Sequence, residues 1–216
     1  MAIEKLLTFI RIPKNASTSL YEFFGNLNTV RNEYLSGDNP KHLNIFESSH
    51  QSISELEINL GSGILERPVL AVVRNPYDRL VSMYFFAKKY GLGKIYDIDT
   101  SEFLNFAKGF YELSKNSDFF HAMPQVEFIK HAEIDNFTII KFENLKEGIN
   151  NFINKKELGN IFDANKLASL NGTNHKHYSE YYNDETISIV KNMWGCDLER
   201  FAYSLDNQSN TGDLWE

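Results

Sequence analysis

Residues 69–91, VLAVVRNPYDRLVSMYFFAKKYG, decide how the whole chain is read. Residues 69–73 form an unbroken apolar run rich in valine, the pattern of a strand buried on both faces of a parallel sheet. The residues after it turn helical, and the start of that helix is marked three times. Asn75 suits the N-cap, Pro76 suits the first helical position, and Asp78 places a negative charge where the helix dipole favours it. Gly91 provides the stop.

The same grammar recurs on either side. Upstream, residues 6–10 (LLTFI) make a short strand, a polar turn follows, and STSLYEFFGNL carries Leu20, Phe23, Phe24 and Leu27 at helical spacing. Between the two units Ser52 and Glu55 fit a capping box for a short helix ending near Gly61. Downstream, residues 137–142 (FTIIKF) read as a third buried strand, with helices over 124–132, 144–158 and 184–198. Buried strands alternating with helices predict an α/β layered domain with a central parallel sheet and right-handed crossovers. Ligands of such sheets bind at the carboxyl ends of the strands.

Composition narrows the function classes. The 216 residues, 42% hydrophobic and 24% charged, supply one core of the larger kind, so residues 1–205 are expected to form a single domain followed by a polar tail at 206–216. In that tail only Leu214 or Trp215 offers a docking side chain. A formal net charge of −7 repels nucleic acid and anionic lipid, so an anionic ligand must be captured locally. The lone cysteine, Cys196, excludes an internal disulfide and a Cys-rich metal site and points to a reducing compartment. No apolar window is long enough for a membrane span or, at the N-terminus, for a signal peptide. The expectation is a cytoplasmic protein.

Two loops at predicted strand ends are equipped for anions. In IPKNASTSL a strand opens onto a helix, and the backbone amides of Asn15, Ala16, Ser17 and Thr18 can cradle an anion at the positive helix end. Lys14 adds a point charge, and Ser17, Thr18 and Ser19 add hydroxyls. The loop has no glycine, unlike the nucleotide-triphosphate P-loop, so a solvated lysine beside an ordinary helix is the plainer alternative. In the second loop Arg74 ends its strand and Ser82 lies two turns into the next helix. The rise from Pro76 to Ser82 is about 9 Å, a gap that an extended arginine largely spans. Both could touch one phosphate, with Arg79 a possible third contact. The alternative there is an Arg74–Asp78 pair with Ser82 filling a packing space.

Together these loops resemble a known family. IPKNASTSL looks like the 5′-phosphosulfate loop, and VVRNPYDRLVSMY like the 3′-phosphate motif, of sulfotransferases that use 3′-phosphoadenosine 5′-phosphosulfate (PAPS). The likeness is greatest to the carbohydrate branch that includes uronyl 2-O- and chondroitin-type enzymes. HAMPQ at 121–125 and HKHYSEYYNDET at 175–186 add weaker similarity. The resemblance implies a P-loop-like fold that binds PAPS and yields adenosine 3′,5′-bisphosphate. Lys14 and the amides after it would serve the sulfate end, Arg74 and Ser82 the 3′-phosphate, in one pocket. That branch carries a membrane anchor and paired cysteines that this sequence lacks, so a cytoplasmic, microbial relative is expected.

Sulfuryl transfer is an in-line displacement in which positioning and charge stabilisation dominate. The sulfuryl group carries less charge than a terminal phosphate, so this reading requires no metal. Lys14 meets the charge that grows on the leaving oxygen, and the acceptor hydroxyl needs a base. Among His42, His50, His121, His131, His175 and His177, the choice falls on His50, which resembles in position the catalytic histidine segment of the uronyl enzymes. Ser48 stands where those enzymes have a second histidine, and Glu47 is the runner-up base. His175 and His177 lack the companions of a zinc site. In the same late segment Lys176 could approach a phosphate, and Tyr178, Tyr181 and Tyr182 could stack on a ligand or pack in a core. Gln125 and His121 could line an acceptor cleft or brace a helix. A P-loop kinase and a non-catalytic nucleotide-binding protein stand as alternatives to the sulfotransferase.

Overall fold

A computed structural model describes residues 7–25, 50–66, 68–116, 119–130, 136–167 and 176–206. In chain order its main elements are β1 (Thr8–Ile10), α1 (Ser17–Gly25), α2 (Ile53–Leu60), β2 (Val69–Val73), α3 (Pro76–Tyr90) and α4 (Leu92–Ile95). Then come α5 (Phe103–Ser114), α6 (Gln125–Phe128), β3 (Phe137–Lys141), α7 (Leu145–Lys155) and α8 (Asp184–Arg200). The fold is α/β: a three-stranded parallel sheet in the order β1-β2-β3, with helices beside it. By packing the chain gathers into two compact units, one from Met1–Val73 with Phe128–Asn171 and one from Arg74–Glu127 with Gly172–Glu216.

The first unit holds the sheet. Its register sets Ile10 beside Ala71 and Val73 beside Lys141, and every residue of β2 is buried. Period-two alternation sends Leu70, Val72 and Ile140 to one face, where they meet Leu20 and Phe24 of α1 and Ile149, Phe152 and Ile153 of α7. Burying each such side chain stabilises by about 1.5–3 kcal/mol. Phe24 also meets Phe162 edge-on at 5.0 Å. Gly148 lets α7 lie close on β3, because a Cβ there would collide with the Ile140 side chain.

The second unit is helical. Tyr77, Leu80, Val81 and Tyr84 of α3 pack with Phe103, Phe106 and Phe110 of α5 and with Ile189, Val190 and Trp194 of α8. Trp194 leaves helical geometry, with φ −133° and ψ 28°, and its buried indole donates to the Ala122 carbonyl at 2.7 Å.

Local signals translate faithfully into structure. Asn75 caps α3 by accepting from the Tyr77 N–H, and Gly91 ends it in the left-handed region at φ 67°. Ser52 and Glu55 form the expected capping box. Among the described residues of 124–132 the helix is the short α6, and His131 and Ala132 lie outside the described residues. The sequence reading assigns no element to α5, although Phe103, Phe106, Ala107 and Phe110 recur at helical spacing and are its buried positions. Glu47, Ser48, His42, His175, Leu214 and Trp215 also lie outside the described residues.

Candidate functional site

β1 ends at Ile10, and a turn through Lys14 leads into α1. Lys14 and Ala16 both occupy the left-handed region, at φ 68° and 57°. Neither is glycine, so each costs about 1–2 kcal/mol. Between them Asn15 is 1% exposed and donates its Nδ2–H to the Val72 carbonyl at 2.8 Å. That bond moors the turn to the carboxyl end of β2. The Leu20 N–H donates to the Ala16 carbonyl at 3.0 Å and closes the first helical turn, so the amides of residues 16–19 precede the first intrahelical donor. Ser17 and Ser19 are buried, while Lys14, Ala16 and Thr18 are half-buried. These are the donors an anion needs at a positive helix end.

His50 belongs to the same neighbourhood. Its Nδ1 lies 2.7 Å from the carbonyl oxygen of Arg11, the first residue after β1. A carbonyl only accepts, so Nδ1 carries the proton and, in the neutral ring, Nε2 carries the basic lone pair. Arg11 itself stacks over the Tyr21 ring at 4.7 Å, and burial pushes its guanidinium below the ordinary arginine range.

Arg74 follows β2 directly and is 8% exposed. Its Nε donates to Asp78 Oδ2 at 2.7 Å, the pairing that sequence logic gave as the alternative. This bond engages the Nε–H and orients the guanidinium. The Arg74 backbone is gripped from the side: its N–H donates to Gln125 Oε1 at 2.8 Å, and its carbonyl accepts from Gln125 Nε2 at 2.9 Å. The adjacent Asn75 donates from Nδ2 to the Tyr178 hydroxyl at 3.1 Å and to the Ser204 carbonyl at 2.8 Å. Ser82 sits in α3 and is buried.

Several alternatives that the sequence leaves open are narrowed here. Arg79 is not a phosphate contact, because it is fully buried. Its Nη groups donate to the carbonyls of Met123 and His121 at 3.0 and 3.2 Å, and its guanidinium lies 4.6 Å over the Trp194 ring. Burial lowers its pKa to about 10, against the opposing pull of Asp197 4.0 Å away. Tyr178, Tyr181 and Tyr182 pack in the core of the second unit rather than forming a ligand platform. Tyr182 meets Tyr77 edge-on at 5.1 Å and donates to its carbonyl at 2.7 Å. Lys176 is exposed and pairs with Glu180 at 3.4 Å, and the His177 Nδ1 accepts from the Ser179 N–H at a short-helix start. Gln125 braces Arg74 instead of lining a cleft.

Sequence reasoning passed over two residues. Asp197 is wholly buried and accepts from the N–H groups of Gln125 and Val126 at 2.8 and 2.9 Å. Burial holds its carboxyl above the usual range despite Arg79. Lys141 ends β3 in register with Val73, and burial lowers its ammonium pKa. Only the pairing of the third strand reveals the latter. Among the described residues no three potential metal ligands cluster, and no helix is long and apolar enough to cross a membrane.

The sheet unit carries a lysine-bearing turn that opens a helix at the end of β1, and the second unit opens on an arginine whose backbone is clamped. The family model described as the sulfotransferase family matches residues 1–204, and the chain belongs to that family. It is thus a sulfotransferase, an enzyme of sulfuryl transfer, and such enzymes bind a nucleotide donor, generally PAPS, and an acceptor. No curated protein and no solved structure matches the chain.

Proposed function

We propose that this sulfotransferase moves the sulfuryl group of PAPS to a hydroxyl of an acceptor, a carbohydrate, by in-line displacement. The observation that carries the reading is the Asn15–Val72 hydrogen bond, which moors the Lys14 turn to the strand whose chain continues into Arg74. The donor set supports it as well: cationic side chains, hydroxyls and helix-opening amides suit sulfate and phosphate oxygens. PAPS supplies a sulfuryl group on a phosphosulfate bridge and a leaving group that carries a second, 3′-phosphate.

Asn15, Ala16, Ser17, Thr18 and Ser19 hold the phosphosulfate end through amides and hydroxyls. Lys14 offers its ammonium where negative charge develops on the bridging oxygen, the kind of preorganised charge that contributes most to such reactions. Arg74 and Ser82 hold the 3′-phosphate. His50 receives the proton of the acceptor hydroxyl at Nε2, its tautomer set by the Arg11 carbonyl. The carbohydrate assignment rests on the resemblance of both motifs to the carbohydrate branch. The net charge of −7 favours an acceptor that is not itself a dense polyanion.

Thermal-shift titrations with adenosine 3′,5′-bisphosphate and with ATP test the nucleotide reading, since ligand bound only by the folded state raises apparent stability. Stabilisation by the bisphosphate without Mg²⁺, and much less by ATP, is expected. Preference for Mg-ATP would instead favour a kinase. Supplying labelled PAPS with a glycan panel then identifies the acceptor, and no label transfer under any acceptor would favour a non-catalytic binding protein.

A further inference from the structure

We infer that Gln125 is a positioning residue for recognition of the 3′-phosphate, acting through the backbone of Arg74. The inference rests on the proposed role of Arg74 as the ligand of that phosphate. The sheet register ends at the Val73–Lys141 pair, so Arg74 is the first residue of its segment beyond the ladder. The Gln125 carboxamide takes the place of a strand neighbour. It accepts from the Arg74 N–H at 2.8 Å and donates to the Arg74 carbonyl at 2.9 Å, so both backbone groups of one residue are satisfied by one side chain.

The clamp is itself clamped. Gln125 is 0% exposed, and its own N–H donates to Asp197 Oδ2 at 2.8 Å. Asp197 also receives the Val126 N–H at 2.9 Å and faces Arg79 at 4.0 Å. Farther along the chain Asn75 is fixed by the Tyr178 hydroxyl and the Ser204 carbonyl. The peptide carrying Arg74 is therefore fixed on both sides, while the side chain is steered by Asp78. An arginine preorganised in this way loses less freedom on meeting a phosphate. A buried carboxamide that gives both an acceptor and a donor to one loop residue fixes that residue's backbone, whereas an apolar side chain of similar volume would leave two polar groups unmet.

The test is the ratio of dissociation constants for adenosine 5′-monophosphate and adenosine 3′,5′-bisphosphate, measured by calorimetry on the full chain. Wild type should prefer the bisphosphate by about tenfold or more, the scale of a hydrogen-bonded charge contact, and Arg74→Ala should bring the ratio near one. Gln125→Met, which keeps length but removes both polar atoms, should cut the ratio several-fold while leaving monophosphate affinity unchanged. Loss of folded protein alone weakens both ligands equally and cannot move the ratio. In an Arg74→Ala background Gln125→Met should change nothing further. Gln125→Glu keeps the acceptor and loses the donor; it should give an intermediate ratio and serves if the methionine variant does not fold. A high wild-type ratio abolished by Arg74→Ala but untouched by both Gln125 variants overturns the inference and leaves the nucleotide reading standing. A wild-type ratio near one removes the 3′-phosphate reading and the inference with it.

Discussion

The turn that carries Lys14 and the strand exit that carries Arg74 follow neighbouring strands, yet the chain holds them by different means. The first is strained, with two left-handed non-glycine residues flanking one buried asparagine whose side chain reaches the Val72 carbonyl. The second is networked and has no residue at positive φ. Its backbone is held by Gln125, Asn75 by Tyr178 and Ser204, and behind them Asp197 and Arg79 share a buried site. Under the proposed mechanism, a strained turn would present its cation where small shifts have large effects on a developing charge. Under the same proposal, a networked exit would give a rigid grip on the 3′-phosphate, whose charge does not change during the reaction.

The largest expected effect concerns the network. Asp197→Ala strips the buried Arg79 of its counter-charge and leaves two backbone N–H groups unmet, which should cost about 3–5 kcal/mol of stability in urea unfolding. The counterpart in the first loop, Asn15→Ala, orphans one carbonyl and should cost about 1–3 kcal/mol. Equal losses would erase the distinction between an anchor and a network.

Next comes the division of labour between the cations. Lys14→Ala should lower kcat by about 10²–10³-fold with little change in bisphosphate affinity, as when one donor to a developing charge is removed. Arg74→Ala should mainly raise the bisphosphate Kd. Steady-state kinetics with calorimetry separates the two, and matched losses in both parameters for both variants would refute the contrast.

Alkali probes the unit that carries the second loop. Burial, with Tyr77, Asp78 and Tyr178 nearby, holds the Tyr182 phenol well above its ordinary 10.0. A raised folded-state pKa means that the folded chain keeps a proton the unfolded chain has lost. The contribution is complete below the unfolded value and drains away as pH climbs through the folded one. Its slope is about 1.4 kcal/mol per pH unit inside that window. Tyr182→Phe should lose the 2.7 Å bond to Tyr77 at every pH but show a shallower fall in urea midpoint above pH 10.0. Parallel curves for the two proteins would mean that this tyrosine does not resist ionisation.

What was legible in the chain follows the range of the forces involved. β2, the Asn75 cap, Pro76 and Gly91 are local signals, and each appears where neighbouring residues alone require it. Arg79 illustrates the opposite case. Its position beside Ser82 suggested a ligand, but its burial is imposed by the carbonyls of His121 and Met123 and by Trp194 and Asp197, all distant in sequence. Gln125 lay in a noticed motif, yet its role depends on meeting a backbone 51 residues away. The strain at Lys14 and Ala16 was hidden for another reason: left-handed turns normally announce themselves through glycine, and this one has none.

That hidden strain yields the smallest effect and the most direct check on the first loop. Ala16→Gly removes the steric penalty of φ 57° but gives the unfolded chain more freedom and withdraws a methyl that packs against the sheet-side core. The penalty of about 1–2 kcal/mol exceeds the entropic cost of about 0.4–1 kcal/mol, so a gain of a few tenths is expected in urea unfolding. Turnover should fall at the same time, because a glycine lets the Lys14 turn sample orientations that the alanine forbids. A loss near 1 kcal/mol with unchanged turnover is the behaviour of an ordinary helix start, and it would show that the turn presenting Lys14 stores no strain for the reaction to use.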